Sequence, residues 1–174
     1  MTTQDHVKKW LIYSFVFLPI WMIDCYVLGR YPIYGATPLL FVLAVMAVAT
    51  LEGQFPGGWY GLGVGLVWEA TYTGGAGVMV VILALGGAVC GALMQYVLKR
   101  GIVLYLLGSA ITLAGIEVMW MLHAVFHGAP ANHQLIFYAG AQIILTMCYA
   151  PIVYGMYGWV YYRRNRRKIQ PSKR

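Results

Sequence analysis

Six long apolar stretches follow one another along the chain, separated by short runs of glycine, proline, histidine or charge. They run Trp10 to Leu28, Ile33 to Leu51, about Pro56 to Tyr72, Gly77 to Leu98, Ile102 to Phe126 and Leu135 to Tyr162. An apolar run of about 20 residues matches a bilayer core of about 30 Å, so each stretch predicts a membrane-spanning helix. The breaks carry the chemistry of helix ends. Pro32 and Pro56 stand at first turns, where a missing N–H does no harm. Gly74-Gly75 predicts a tight turn between the third and fourth spans, and His127 to His133, with Pro130 and Asn132, a loop between the fifth and sixth. Pro19 and Pro151 fall inside spans and predict kinks. The sixth stretch is long enough to tilt or to extend past the membrane.

Composition leaves little room for anything else. Of 174 residues, 61% are hydrophobic and 10% charged, and the mean hydropathy is +0.70. The expected organisation is one all-α, six-span membrane domain over 1–174, with a short N-terminus at 1–9 and a basic tail at 163–174. The first apolar run has no small-residue cleavage site and contains Asp24, so it reads as a retained span.

Charge then orients the helices. The net charge of +7 and a pI near 9.4 do not imply nucleic acid, because the cations sit at span ends and in the tail. Lys8, Lys9, Lys99, Arg100, Arg163, Arg164, Arg166, Arg167, Lys168, Lys173 and Arg174 share one side if there are six spans, and Arg30 alone falls on the other. Positive residues mark the cytoplasmic side, so both termini are expected there. Attraction of the tail to anionic lipid, at ~1 kcal/mol per cation, accounts for its composition.

Two features carry candidate chemistry. The first is the run from Leu51 to Glu69, in which Gly57, Gly61 and Gly65 recur at four-residue spacing between Glu52-Gly53 and Glu69. Such a strip lets helices pack closely in lipid. The second is a layer of acids. At ~1.5 Å per residue, Asp24 lies roughly 20 Å from the cytoplasmic edge, and Glu69 and Glu117 are similarly deep. Trp21, Trp68 and Trp120 are one to three residues from these acids, and Arg30 is the one cation nearby. Ionisable groups inside a membrane are costly, so this outer layer either joins helices by hydrogen bonds or faces a ligand. Glu52 belongs to the opposite, cytoplasmic edge. In the fourth span, Ala84, Ala88 and Ala92, with Gly87 and Gly91 beside them, form a further strip expected to pack against another span of the chain.

Catalytic and metal motifs do not appear. There is no His-Glu-x-x-His, Gly-x-Ser-x-Gly or phosphate loop. His123 and His127 share a helix face, but Glu117 is about 240° away from His123 by helical phase. Cys25, Cys90 and Cys148 are isolated. No catalytic site, metal or cofactor is expected. The aromatic residues near span ends, including Tyr60 and Tyr105, read as interfacial anchors.

From Pro38 to Glu69 the chain resembles the rod-shape-determining MreD family: an apolar helix ends in Glu52-Gly53, an aromatic–glycine turn follows, and Gly61-Leu62-Gly63-Val64-Gly65-Leu66-Val67-Trp68-Glu69 closes in an acid. The family more usually has aspartate at position 69, after a leucine. The resemblance implies a non-enzymatic scaffold of the elongation machinery in the bacterial cytoplasmic membrane, with MreC, MreB, RodA and a penicillin-binding protein as partners. Glu52, Gly53, Gly57, Gly61, Gly65 and Glu69 are then its packing and interaction residues. The family resembles in fold the S components of energy-coupling-factor transporters, which implies an S-component-like bundle. The alternative function is therefore that of a vitamin-binding S component, with Asp24, Glu69, Glu117 and Arg30 around an outer site. The absence of alanine between Trp10 and Trp21 argues against it, since S components carry small-residue strips on their first span.

Overall fold

The computed structural model of the chain describes residues 3–31, 36–72, 77–96, 101–126 and 133–169. Pro32, Gly74-Gly75, Lys99-Arg100, His127, Pro130, Asn132, Lys173 and Arg174 lie outside the described residues. The architecture is all-helical. Helix α1 covers Thr3–Met22 and continues into a π-helical segment, Ile23–Leu28. Then come α2 (Leu40–Glu52), α3 (Gln54–Thr71), α4 (Val78–Tyr96), α5 (Ile102–Phe126) and α6 (His133–Ile169). Four stretches are long and apolar enough to cross a membrane: Trp10–Leu28, Val78–Gln95, Ile102–Phe126 and Ile136–Arg163. By length and composition this is a multi-pass membrane protein.

Helix α2 departs from its expected extent. The apolar run from Ile33 predicts a helix there, but residues 36–39 are not helical and α2 starts at Leu40. Pro38 accounts for this, because it lacks an N–H and pushes Thr37 away from helical backbone. The first amides of α2 are satisfied from outside the helix. Leu39 N donates to Thr146 Oγ1 of α6 at 3.0 Å, and Leu40 N donates to Asp24 Oδ1 at 3.3 Å. With 13 residues, α2 is about 20 Å long, well short of a bilayer core.

Enclosure compensates for that shortness. Every residue from Leu40 to Leu51 is buried, and α2 packs against each of the other five helices. A helix that is apolar all round is compatible with such surroundings. Thr50, its one polar residue before Glu52, returns its hydroxyl to the Met46 carbonyl at 2.5 Å.

Gly53 alone separates α2 from α3, with φ of 102°, a conformation that disfavours any side chain. Helix α3 consequently begins two residues ahead of Pro56, and the proline sits in the first turn, where it removes no helical bond.

The glycine ladder meets α4 along most of its length. A Cβ on Gly57 would lie 2.7 Å from the Gly87 carbonyl oxygen and from the Ala49 Cβ. One on Gly61 would fall on the Leu83 carbonyl, and one on Gly65 2.6 Å from Val80 Cα. Gly91 closes the series, with Gln54 N 2.6 Å from the position its Cβ would take. Two antiparallel backbones are thus in direct apposition. Gly87 and Gly91, rather than the alanine row alone, form the α4 half of the contact.

The other contacts show the helices alternating in direction. Tyr13 of α1, Glu52, Tyr60, Tyr105 and Tyr157 share one end of the bundle, while Asp24, Leu40, Met79, Glu117 and Gln142 share the opposite one. Tyr60 and Tyr105, expected at the interface, are 6% and 0% exposed and belong to the core. Trp59, Tyr138, Trp159 and Tyr162 are exposed, as anchors are. The Arg163 guanidinium lies 4.7 Å over the Trp159 ring.

Candidate functional site

The end of the bundle opposite the buried tyrosines holds the acids picked out by depth, and it divides them. The π-helical segment widens the last turn of α1, and Gly29 N bonds back to the Asp24 carbonyl at 2.8 Å. Such turns inside α-helices recur at functional sites. Asp24 is carried inward by it: the residue is 6% exposed, and its Oδ1 accepts the Leu40 amide.

Glu117 arrives from α5. Its Oε1 is buried and has no hydrogen-bond partner among the described residues. Asp24 and Glu117 both line a cavity of about 360 Å³. All six helices, or the residues leading into them, contribute to its wall: Gly29 after α1, Thr37 to Leu39 before α2, Trp68 and Tyr72 from α3, Met79 from α4, Trp120 from α5 and Gln142 from α6.

Aromatic rings organise one side of this space. Trp68 and Trp120 meet edge to face, with centroids 6.5 Å apart and planes at 69°. Tyr72 lies 5.1 Å from Trp68 on its other side, and Phe41 of α2 backs Trp68 at 5.7 Å. Two carboxyl groups and two indole side chains therefore border one small cavity, in which no lysine or arginine takes part among the described residues.

Glu69 stands apart from the other two acids. Its Oε2 accepts Gly77 N at 2.9 Å and its Oε1 accepts Met79 N at 3.1 Å. The carboxylate thus joins the end of α3 to the start of α4 and satisfies amides that a helix start leaves open. Replacing Glu69 by alanine is expected to lower stability by about 1 kcal/mol, the usual size of a lost cap, whereas glutamine keeps one acceptor and loses less. Reversible unfolding of the two variants in mixed micelles measures the difference.

The remaining candidates are distributed elsewhere. Arg30 is exposed and does not line the cavity. His123 is exposed, with its ring 6.4 Å from Trp120. Among the described residues no three His, Cys, Asp or Glu side chains converge as metal ligands would. Glu52 occupies the other end of the molecule, where its Oε1 accepts the Tyr13 hydroxyl at 2.7 Å. Around it the Tyr60 and Tyr157 hydroxyls share a 2.7 Å hydrogen bond, and the Tyr13 and Tyr157 rings stack at 5.9 Å.

Sequence reasoning missed several cavity residues. Gln142 was detectable, as an amide within an otherwise apolar span is the same kind of signal that marks Asp24. Thr37 and Tyr72 offered no such signal. The buried tyrosine group was also missed, because tyrosines near span ends match the pattern of interfacial anchors.

A second depression, of about 640 Å³, runs between α1 and α3. It is bordered by Trp10, Ser14, Phe15, Leu18, Trp59 and Gly63 and is almost wholly apolar. Neither a family model, nor a curated protein, nor a solved structure matches the chain.

Proposed function

We propose that this chain is a non-enzymatic membrane scaffold of the bacterial cell-wall elongation machinery, of the MreD type, which binds a MreC-like protein and positions further partners such as MreB, RodA and a penicillin-binding protein. The observation that carries this reading is the Pro38–Glu69 resemblance, taken with what those residues do. They build the enclosed helix α2, the one-residue break at Gly53 and the glycine face of α3, so the resembling positions are the ones around which the bundle is organised. The alternation of the helices and the one-sided distribution of cations support a reading of six spans with both termini in the cytoplasm. In this reading the short α2 crosses with the help of its non-helical lead-in at residues 36–39, since chain outside a helix spans up to about 3.3–3.6 Å per residue.

The α1–α3 groove offers the best place for a partner's apolar helix. Gly63 has open space where a side chain would stand, and close approach through small residues is how helices associate in lipid. The test is co-purification of a MreC-like protein with the tagged, full-length chain from detergent-solubilised membranes. Recovery with the native chain, and its loss in a Gly63→Trp variant of unchanged thermal stability, is the expected result. Failure to recover any elongation protein with the native chain would overturn the assignment.

The outer cavity favours a second reading, as a vitamin-binding S component of an energy-coupling-factor transporter. That reading expects thermal stabilisation by a member of a vitamin panel, because a ligand bound only by the folded state raises apparent stability. The effect should depend on Glu117 and Asp24 rather than on Glu69, whose oxygens are engaged at the α3–α4 turn.

A further inference from the structure

We infer that the cavity bordered by Asp24, Glu117, Trp68 and Trp120 is a binding site for a small organic cation of the alkylammonium class. The inference goes beyond the scaffold assignment and depends only on the geometry of the cavity.

Three observations converge on that ligand class. The first is charge. Two carboxyl groups border the cavity, one belonging to a residue 6% exposed, and among the described residues no lysine or arginine lines it to offset them. Glu117 Oε1 is buried and has no hydrogen-bond partner among the described residues, which leaves an acceptor to be matched at this place. A buried acceptor left unmade is costly, and the positive charge of an ammonium ligand, or an N–H or O–H that it carries, offsets the cost.

The second is the arrangement of the rings. Trp68 and Trp120, both on the cavity wall, stand at 69° to each other with centroids 6.5 Å apart, and Tyr72, also on the wall, lies 5.1 Å from Trp68. Perpendicular aromatic faces beside an acid are the recurrent means of holding quaternary or methylated ammonium groups, because each ring presents its negative face to the cation.

The third is size and donor set. A volume of about 360 Å³ is at the small end of ligand cavities. Among the described residues, Asp24 and Glu117 are the only His, Cys, Asp or Glu on its wall, too few for a protein-held metal but sufficient for an ammonium group.

The experiment uses the full-length chain in nanodiscs, titrated with choline, tetramethylammonium and ethanolamine, and read by tryptophan fluorescence and by thermal stability. A saturable fluorescence change with a raised Tm is expected for at least one of them. The uncharged choline analogue, in which carbon replaces nitrogen, should bind at least about tenfold more weakly, as loss of a desolvated cation–π contact implies. Glu117→Gln and Trp120→Leu should each weaken binding to a similar degree, whereas Trp59→Leu, in the α1–α3 groove, should leave it unchanged. The idea is overturned if none of the three cations gives a saturable response, if the uncharged analogue binds as well, or if Glu117→Gln retains full affinity. The analogue comparison needs no variant, so it decides the matter even if a substitution unfolds the protein. Recovery of an elongation partner is a separate readout, so failure here is distinguishable from failure of the scaffold assignment.

Discussion

Gly61→Ala is expected to disrupt the folded bundle almost as completely as Gly61→Leu. The reason is the position of the contact. A Cβ at residue 61 falls on the backbone carbonyl of Leu83, and the Leu83 carbonyl carbon and Ala84 N are within 3.0 Å of it. A clash with the tip of a flexible side chain is relieved by a rotamer change. A clash with the backbone of a helix is relieved only by moving the helix. Overpacking a core that can adjust costs typically 1–3 kcal/mol. Here α3 and α4 must separate along the whole glycine face, so the expected loss is about 3 kcal/mol or more. Gly63→Leu supplies the comparison on the same helix. Nothing lies within 4 Å of its Cβ, so stability should be almost unchanged. Size-exclusion behaviour and thermal denaturation of the three variants in one detergent test the contrast. A Gly61→Ala protein with native Tm would show that α3 and α4 are not in backbone contact.

The ladder was legible in the sequence because glycine at every fourth residue has a direct geometric meaning on a helix. Its partner was less so. Ala84, Ala88 and Ala92 repeat at the same spacing as Gly57, Gly61 and Gly65, and spacing alone does not distinguish two rows on one helix. The observed contact uses Gly87 and Gly91 together with the backbone at Leu83 and Ala84, while Ala88 meets the flanking Gly58.

The depth argument likewise located Asp24, Glu69 and Glu117 at one end of the molecule without separating their roles. Rise per residue gives height in the membrane but not the direction of a side chain. One residue along α3 decides between Trp68, which lines the cavity, and Glu69, which ties the α3–α4 turn. The start of α2 was misplaced for a related reason. Hydropathy does not tell a non-helical apolar segment from a helical one, and the helix is delayed past Pro38 within the run that starts at Ile33. What most escaped the sequence was enclosure. Protein interior and lipid are equally apolar, so a buried helix and a lipid-facing one have similar compositions.

That last point produces a second prediction with a large expected effect. Leu43→Ala, in the first turn of α2, should cost about 1–3 kcal/mol, while Leu107→Ala on α5 should cost close to nothing. Leu43 is 0% exposed and Leu107 is 55% exposed. In water both substitutions would be judged by the apolar area they remove, and a buried leucine would be credited with about 1.5–3 kcal/mol for leaving solvent. Within a bilayer that gain is largely absent, because acyl chains solvate leucine as well as the protein does. What remains at Leu43 is packing: the dispersion contacts of the lost atoms and the void left among α2's neighbours, at about 24 cal/mol per Å³ of cavity. Relief by collapse is restricted there, since α2 is held on all sides and Tyr105 donates its hydroxyl to the Leu43 carbonyl at 3.4 Å. At Leu107 the methyl groups face lipid before and after unfolding, so their removal is matched in both states. Reversible unfolding in mixed micelles separates the two cases. Equal losses at Leu43 and Leu107 would mean that α2 is not enclosed by the other five helices; a loss confined to Leu43 identifies α2 as the helix around which the bundle packs.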